Sequence, residues 1–416
     1  MTSGWVAPWS RLGSPGGFHP EGMARPVLKS PLPVKASPPS LMVGKPAFGQ
    51  FSTHEAEAMR YRKIPGTDVA VSEVGFGVWT VSTGWWGEFT DEAAVQLLRR
   101  AYSLGVTLFD TADAYANGRG ETLVAAALRD VRQKIAIVDK FGYDFYSQPG
   151  ERRGQQELPH DFSRKFIKFA CEQSLERLAT DYIDVYLAHN PRLADIRNDE
   201  LFAALDELKR EGKIRAGGVA LGPAIGWLVE GVAAIRERNI GVMHMIYNLL
   251  EQNPGRQLIA AGRPVGTSFL IRVPHSSGML EGKYTADTKF SETDHRSHRP
   301  QSWLTNGLKK IDTLKFLHEG RGMTLGQAAI KFILGEPLVA SVVPNIYNEE
   351  QLAEFAAAPD KADLTRQDFE RVEERYRINF GVDEAPMQFK GLAADSPEGR
   401  QVLSEAGVAA AGMQSN

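Results

Sequence analysis

From Met59 onward, short apolar runs alternate with longer stretches in which apolar residues recur at helical spacing. The runs 74–78, 106–110, 135–139, 183–188, 214–220, 242–247, 266–271 and 339–343 read as strands. Most are continuous rather than alternating, the pattern of strands buried on both faces of a parallel sheet. Helical spacing marks 91–104, 120–131, 164–179, 199–211, 225–238, 304–319 with 325–334, and 349–357, with a less regular helix around 255–261. Thr90-Asp91-Glu92 supplies a cap and first-turn acids to the first of these, and Gly105 and Gly212 stand where helices should stop. Eight strands, each followed by a helix, predict a (β/α)8 TIM barrel. The runner-up, an open doubly wound sheet, lacks support, because the chain has neither G-x-G-x-x-G nor G-x-x-x-x-G-K-[ST]. Residues 61–71 read as an N-terminal β-hairpin around Pro65-Gly66 that could plug the barrel floor, and 368–378 as a C-terminal extra helix followed by an Ala/Gly-rich tail.

Composition narrows this picture. The chain has 416 residues, 43% hydrophobic and 24% charged, enough for one large core in a barrel of residues 59–380 with a tail of 381–416. A net charge of −3 and the lack of a long basic run argue against nucleic acid or an anionic membrane as partner. No stretch reaches the roughly 18 apolar residues of a spanning helix. Cys171, the single cysteine, reads as a small buried hydrophobe and excludes a disulfide framework or multi-Cys metal site, so no metal is expected. Residues 1–58 are rich in Pro, Ser and Gly, with Glu21 the only acid before Glu55, and read as a disordered extension. Met23, Met42 and Met59 could each start translation, which favours an upstream extension and a cytoplasmic protein; a transit peptide and an organelle are the alternative.

In a barrel of this kind, chemistry gathers at the C-terminal ends of the strands. Asp110 ends the second strand and Tyr115 follows in its loop, Lys140 ends the third and His189 the fourth. Neighbouring strands lie about 4.8 Å apart, so these groups can meet over one small volume. Such a set suits hydride transfer to a carbonyl, whose oxygen needs a proton as charge develops. A phenol near pKa 10 is a poor proton exchanger at neutral pH, and a close ammonium, itself held by a carboxylate, favours the phenolate. Histidine can polarise the carbonyl oxygen. Taken singly, Asp110 could cap a loop, Lys140 could be a solvated strand end and His189 a structural histidine; the ordered set favours chemistry.

Along the chain stand Val74-Gly-Phe-Gly-Val-Trp79, Phe109-Asp-Thr-Ala-Asp-Ala-Tyr115 with Gly120-Glu121, Asp139-Lys-Phe-Gly142, Tyr186-Leu-Ala-His-Asn-Pro191, Gly212-Lys-Ile-Arg-Ala-Gly-Gly-Val219, Tyr247-Asn-Leu-Leu-Glu251, Gly278-Met-Leu-Glu-Gly-Lys-Tyr284 and Ser341-Val-Val-Pro344 leading to Glu350-Gln351. In this order the motifs resemble the aldo-keto reductase family. The resemblance implies Tyr115 as general acid/base tuned by Lys140 and Asp110, with His189 placing the substrate oxygen. It implies a nicotinamide dinucleotide, NAD or NADP, across the barrel mouth, and Trp79, Trp85 and Trp86 walling a pocket for a small carbonyl or alcohol. On the cofactor side, Ala220-Leu221 replaces the family's Ser–Asn pair, His244 replaces a Gln, and Arg272 replaces the aromatic residue that stacks on nicotinamide. Asn190 could still hold the carboxamide, Arg272 could sit near the pyrophosphate or ring, and Ser341, Asn345, Gln351 and Glu354 complete the expected cofactor set. The loop after the eighth strand offers Tyr347, Glu349 and Glu350 but no cation for a 2′-phosphate, which leans the choice towards NAD. The competing reading is a cofactor-binding regulatory or scaffold subunit with little turnover, as in potassium-channel beta subunits of the same fold. Loops 80–89, 143–162 and 274–302 and the tail, with Phe380, Met387 and Phe389, are the expected pocket walls, and Arg152, Arg153, His160 and Arg192 could meet an anionic substituent.

Overall fold

The computed structural model describes residues 59–147, 158–291, 294, 296, 297, 299–385 and 387–409. The expected extension 1–58 and the centre of loop 143–162, with Arg152 and Arg153, lie outside them. Strands β1 (Tyr61–Lys63) and β2 (Ala70–Ser72) form an antiparallel hairpin. The barrel follows as β3 (Phe76–Gly77), β4 (Leu108–Asp110), β5 (Ala136–Phe141), β6 (Ile183–His189), β7 (Ile214–Ala220), β8 (Val242–Ile246), β9 (Ser268–Arg272) and β10 (Val339–Val343). Each pairs in parallel with the next in chain order. A bridge between Val74 and Val342 joins the two ends of the sheet, with Gly75 N donating to Val342 O and Val342 N to Glu73 O, both at 2.8 Å. This is the (β/α)8 barrel that the pattern predicted.

The hairpin seals the floor by apolar packing. Ile64, Val69 and Val71 join one buried cluster with Leu108, Val138, Val185, Leu187, Ala216, Val242 and Leu270, the inward side chains of the barrel. A larger core lies between the strands and the surrounding helices. Thr90 caps the helix Asp91–Ser103 as expected, accepting from Ala93 N at 3.2 Å.

Several boundaries differ from expectation for local reasons. The first barrel strand is shorter than 74–78, because Val78 already has helical angles and begins the turn Trp79–Ser82. The helix expected from 225 starts only at Leu228, because Gly226 and Trp227 have positive φ of 135° and 67°. The stretch 304–319 divides into a helix, Gln301–Asp312, and a separate turn, Lys315–Leu317. Beyond the helix Arg366–Arg377, the described part of the tail packs back on the barrel. Lys390 pairs with Gly226, Leu392 N donates to Glu230 Oε1 at 2.8 Å, and a further helix, Pro397–Glu405, buries Val402 and Leu403. Among the described residues no helix is long and apolar enough to cross a membrane.

Candidate active site

β4, β5 and β6 deliver their terminal polar residues to the same end of the barrel. Lys140 is 1% exposed, and its Nζ donates to Asp110 Oδ1 at 2.8 Å, to Thr111 O at 2.6 Å and to Tyr115 OH at 3.3 Å. The Tyr115 and His189 rings meet edge to face with centroids 5.9 Å apart. The four residues singled out from the sequence therefore form one cluster. The chain must turn sharply after Lys140, and Gly142 permits it: φ is +127°, and a Cβ there would fall 2.3 Å from the Phe162 ring.

Burial competes with charge inside this cluster. Burial alone would lower the Lys140 pKa, but Asp110 and Tyr115 outweigh it and hold the ammonium above its ordinary value. For Asp110, burial wins over Lys140 and raises the carboxyl. The Tyr115 phenol likewise ends above 10: burial pushes it up more than Lys140 pulls it down. This corrects the expectation of a phenol lowered overall by its ammonium neighbour; the pull exists, and desolvation exceeds it.

The expected cofactor residues divide into two groups. Asn190, at positive φ of 55°, donates from Nδ2 to Tyr143 OH at 2.6 Å, while its backbone N–H donates to Ala220 O at 2.8 Å. Arg272 ends β9 and reaches across with Nη2 to the carbonyls of Leu221, at 2.8 Å, and Gly222. Burial pulls the Arg272 guanidinium below its usual value, with Tyr115 and Asp110 opposing. Asn345 accepts from Thr80 Oγ1 at 3.3 Å, and Glu354 accepts from Thr324 Oγ1 at 2.6 Å. Three residues, Gln351, Ser341 and His244, are more deeply set than a mouth position requires, Gln351 being fully buried with its amide on Glu281. Ser341 is fully buried within β10, its hydroxyl 3.5 Å from Glu73 O. His244 is 1% exposed inside the barrel, with Nδ1 3.7 Å from Asp110 Oδ2, too far for a hydrogen bond. Burial, then Lys140 and Arg272, keep His244 well below its ordinary pKa and so neutral. The three tryptophans do gather: Trp79 lies 5.7 Å from Trp85 and 6.3 Å from Trp86 between ring centroids.

The description "Aldo/keto reductase family" attaches to a family model that matches residues 73–377. The chain belongs to the aldo/keto reductase family. It is 29% identical over 316 residues to the "NADH-specific methylglyoxal reductase" of Escherichia coli (strain K12), covering 71% of this chain and 93% of that protein. It is also 29% identical over 315 residues to the "Probable voltage-gated potassium channel subunit beta" of Arabidopsis thaliana, covering 73% and 92%. Among solved structures, the holo form of an aldo-keto reductase from Bacillus halodurans matches with a TM-score of 0.61 at 25% identity, over 76% of this chain and 96% of that one.

This aldo/keto reductase also carries groups that sequence reasoning did not single out. Tyr143 packs between His160, at 4.3 Å, and His189, at 4.9 Å between ring centroids. Behind Lys140, on the outward face of β5, Asp139 is buried with Asp113 and Glu121, and Arg177 is ion-paired to Glu121. Burial first, then the neighbouring carboxylates, push Asp113 and Asp139 well above the usual carboxyl range. Glu281 is buried beside Tyr347 and Gln351. The available signal for these acids was their place inside apolar runs, where an unpaired charge is costly.

Proposed function

We propose that this aldo/keto reductase interconverts a carbonyl compound and its alcohol with NAD or NADP, using Tyr115 as the proton donor and acceptor. The observation that carries this reading is the Lys140 ammonium, buried and shared between Asp110, Thr111 O and the Tyr115 hydroxyl. A buried ammonium costs several kcal/mol of desolvation, and its placement on a phenol gives that cost a chemical purpose. When bound, a reduced nicotinamide supplies hydride to the carbonyl carbon. Tyr115 gives its hydroxyl proton to the carbonyl oxygen, and Lys140 stabilises the phenolate left behind. His189, edge-on to Tyr115, donates to the same oxygen and holds it in register. A phenol held above its ordinary pKa is protonated at neutral pH, which suits the reductive direction.

The donor set along the mouth fits an extended dinucleotide. Asn190 would take the carboxamide, Arg272 the pyrophosphate, and Asn345, Gln351 and Glu354 the adenosine end, with Trp79, Trp85 and Trp86 against a small carbonyl. The lean towards NAD is supported by the name of the Escherichia coli relative and by the uncharged Tyr347 in the loop after β10, and that name also supports a 2-oxo aldehyde as substrate. Tyr115→Phe removes one hydroxyl and should lower carbonyl turnover by on the order of 10²–10⁴ while leaving the cofactor dissociation constant unchanged. Near wild-type turnover by that variant would sink the assignment. The relative named as a channel subunit supports a second reading, a cofactor-binding regulatory subunit. Melting temperatures raised by NADH or NADPH, with no turnover of aromatic aldehydes, 2-oxo aldehydes or aldoses, would favour it.

A further inference from the structure

Glu281 closes the turn Met279–Glu281, which is bounded by Gly278 and Gly282 at φ of +90° and +72°. Its side chain crosses to the segment after β10, where Oε2 accepts from Tyr347 OH at 2.9 Å and from Gln351 Nε2 at 2.8 Å. The residue is 7% exposed. Both bonds fall on one oxygen and both donors are neutral, so among the described residues no cation lies within ion-pairing distance of this carboxylate. Burial raises its pKa; the Tyr347 hydrogen bond, Lys283 and Arg296 oppose this, and Glu354 adds to it. Those are the charged groups that face it. Arg296 is itself paired with Asp294 and lies over the Trp86 ring, and Lys283 sits 5.9 Å from the Tyr347 ring centroid. A buried carboxylate bonded only to neutral groups costs stability that an apolar residue would not.

Its partners say what the charge can act on. Gln351 belongs to the adenosine end of the proposed cofactor site, and Tyr347 lies in the loop after β10, whose residues 344–351 include no cation for a 2′-phosphate. Tyr347 also stacks on Trp86 at 6.4 Å and 13°, so the neighbouring loops after β3 and β10 are in contact through it. A ribose 2′-hydroxyl is a neutral donor that a carboxylate oxygen can accept from. A 2′-phosphate is an anion that meets a like charge at the same place.

We propose that Glu281 sets the preference for NAD over NADP, accepting a hydrogen bond from the ribose 2′-hydroxyl and repelling a 2′-phosphate. The proposal rests on the nicotinamide reading above. The test is binding, with no turnover required: NADH and NADPH are titrated against the full chain by quenching of tryptophan fluorescence and by the shift in melting temperature. Wild type should bind NADH at least about tenfold tighter than NADPH, a difference near 1.4 kcal/mol. Glu281→Gln, which keeps shape and loses charge, should tighten NADPH binding and weaken NADH binding, shrinking the ratio by about tenfold. Glu281→Asp, which keeps the charge, should retain a preference for NADH and also serves if the Gln variant does not fold. A wild type that binds NADPH as tightly as NADH, or a ratio unmoved by Glu281→Gln, overturns the proposal and leaves the cofactor reading standing. A wild type that binds neither dinucleotide removes the cofactor reading, and this proposal with it.

Discussion

Lys140 shows how one side chain couples stability to chemistry. Replacing it with methionine leaves Asp110 buried without its cation, so Lys140→Met should cost about 3–5 kcal/mol of stability as well as turnover. Urea unfolding of the variant against wild type checks the first, and steady-state reduction the second. The pH dependence follows from the phenol. The reductive step needs Tyr115 protonated, and its pKa is raised, so the rate should stay flat through neutral pH and fall only on the alkaline side, above the ordinary phenol value of about 10. A rate falling between pH 6 and 8 would show that another group controls the proton. Asp110, Tyr115, Lys140 and His189 were legible in the chain because a parallel barrel fixes where strands end and which neighbours share a level. His244 and Ser341 were less so: each is inward-facing but lies two residues before its strand's end, and depth along a strand leaves little trace in a continuous apolar run.

Between β5 and the helices Arg119–Leu128 and Arg164–Leu178 lies a second consequence of strand alternation. Lys140 points into the barrel, so Asp139 must point out, and it meets Asp113 and Glu121 there, Glu121 being paired with Arg177. A carboxyl whose folded pKa exceeds its unfolded value binds its proton more tightly when folded. Its contribution is complete below the unfolded value, near 4, and is lost as pH rises through the folded one. Asp139 and Asp113 both carry this sign, so they should make the melting temperature fall from mildly acidic towards alkaline pH. Asp139→Asn mimics the protonated form and should flatten that fall; parallel wild-type and variant curves between pH 5 and 8 would count against it. At this scale the helices were the most legible elements, because caps such as Thr90 and stops such as Gly105 are local. Boundaries moved where a glycine or an aromatic took a left-handed conformation, as at Gly226-Trp227, which no hydrophobic period reports.

For the whole barrel, the C-terminal segment was the part least visible in composition. It is tied to the loop 221–227 through Lys390 and Gly226, and Arg272 hangs on the carbonyls of that same loop. Deleting residues 384–416 should therefore raise the Michaelis constant for cofactor several-fold with a smaller change in turnover. It should also lower stability by about 2–4 kcal/mol through the lost burial of Val402 and Leu403. Unchanged kinetics in the shortened chain would separate the tail from the site. The bridge between Val74 and Val342 has a different kind of consequence. It joins residues from opposite ends of the barrel sequence by two hydrogen bonds, whereas β5 and β6 pair along most of their length. On the ribosome, the growing sheet must carry two raw edges until residue 342 has emerged, a long exposure to wrong partners and to chaperones. In the finished protein the same place is the natural split in the ring, and the Gly75 and Val342 amides should take up deuterium well before those at the centre of β6.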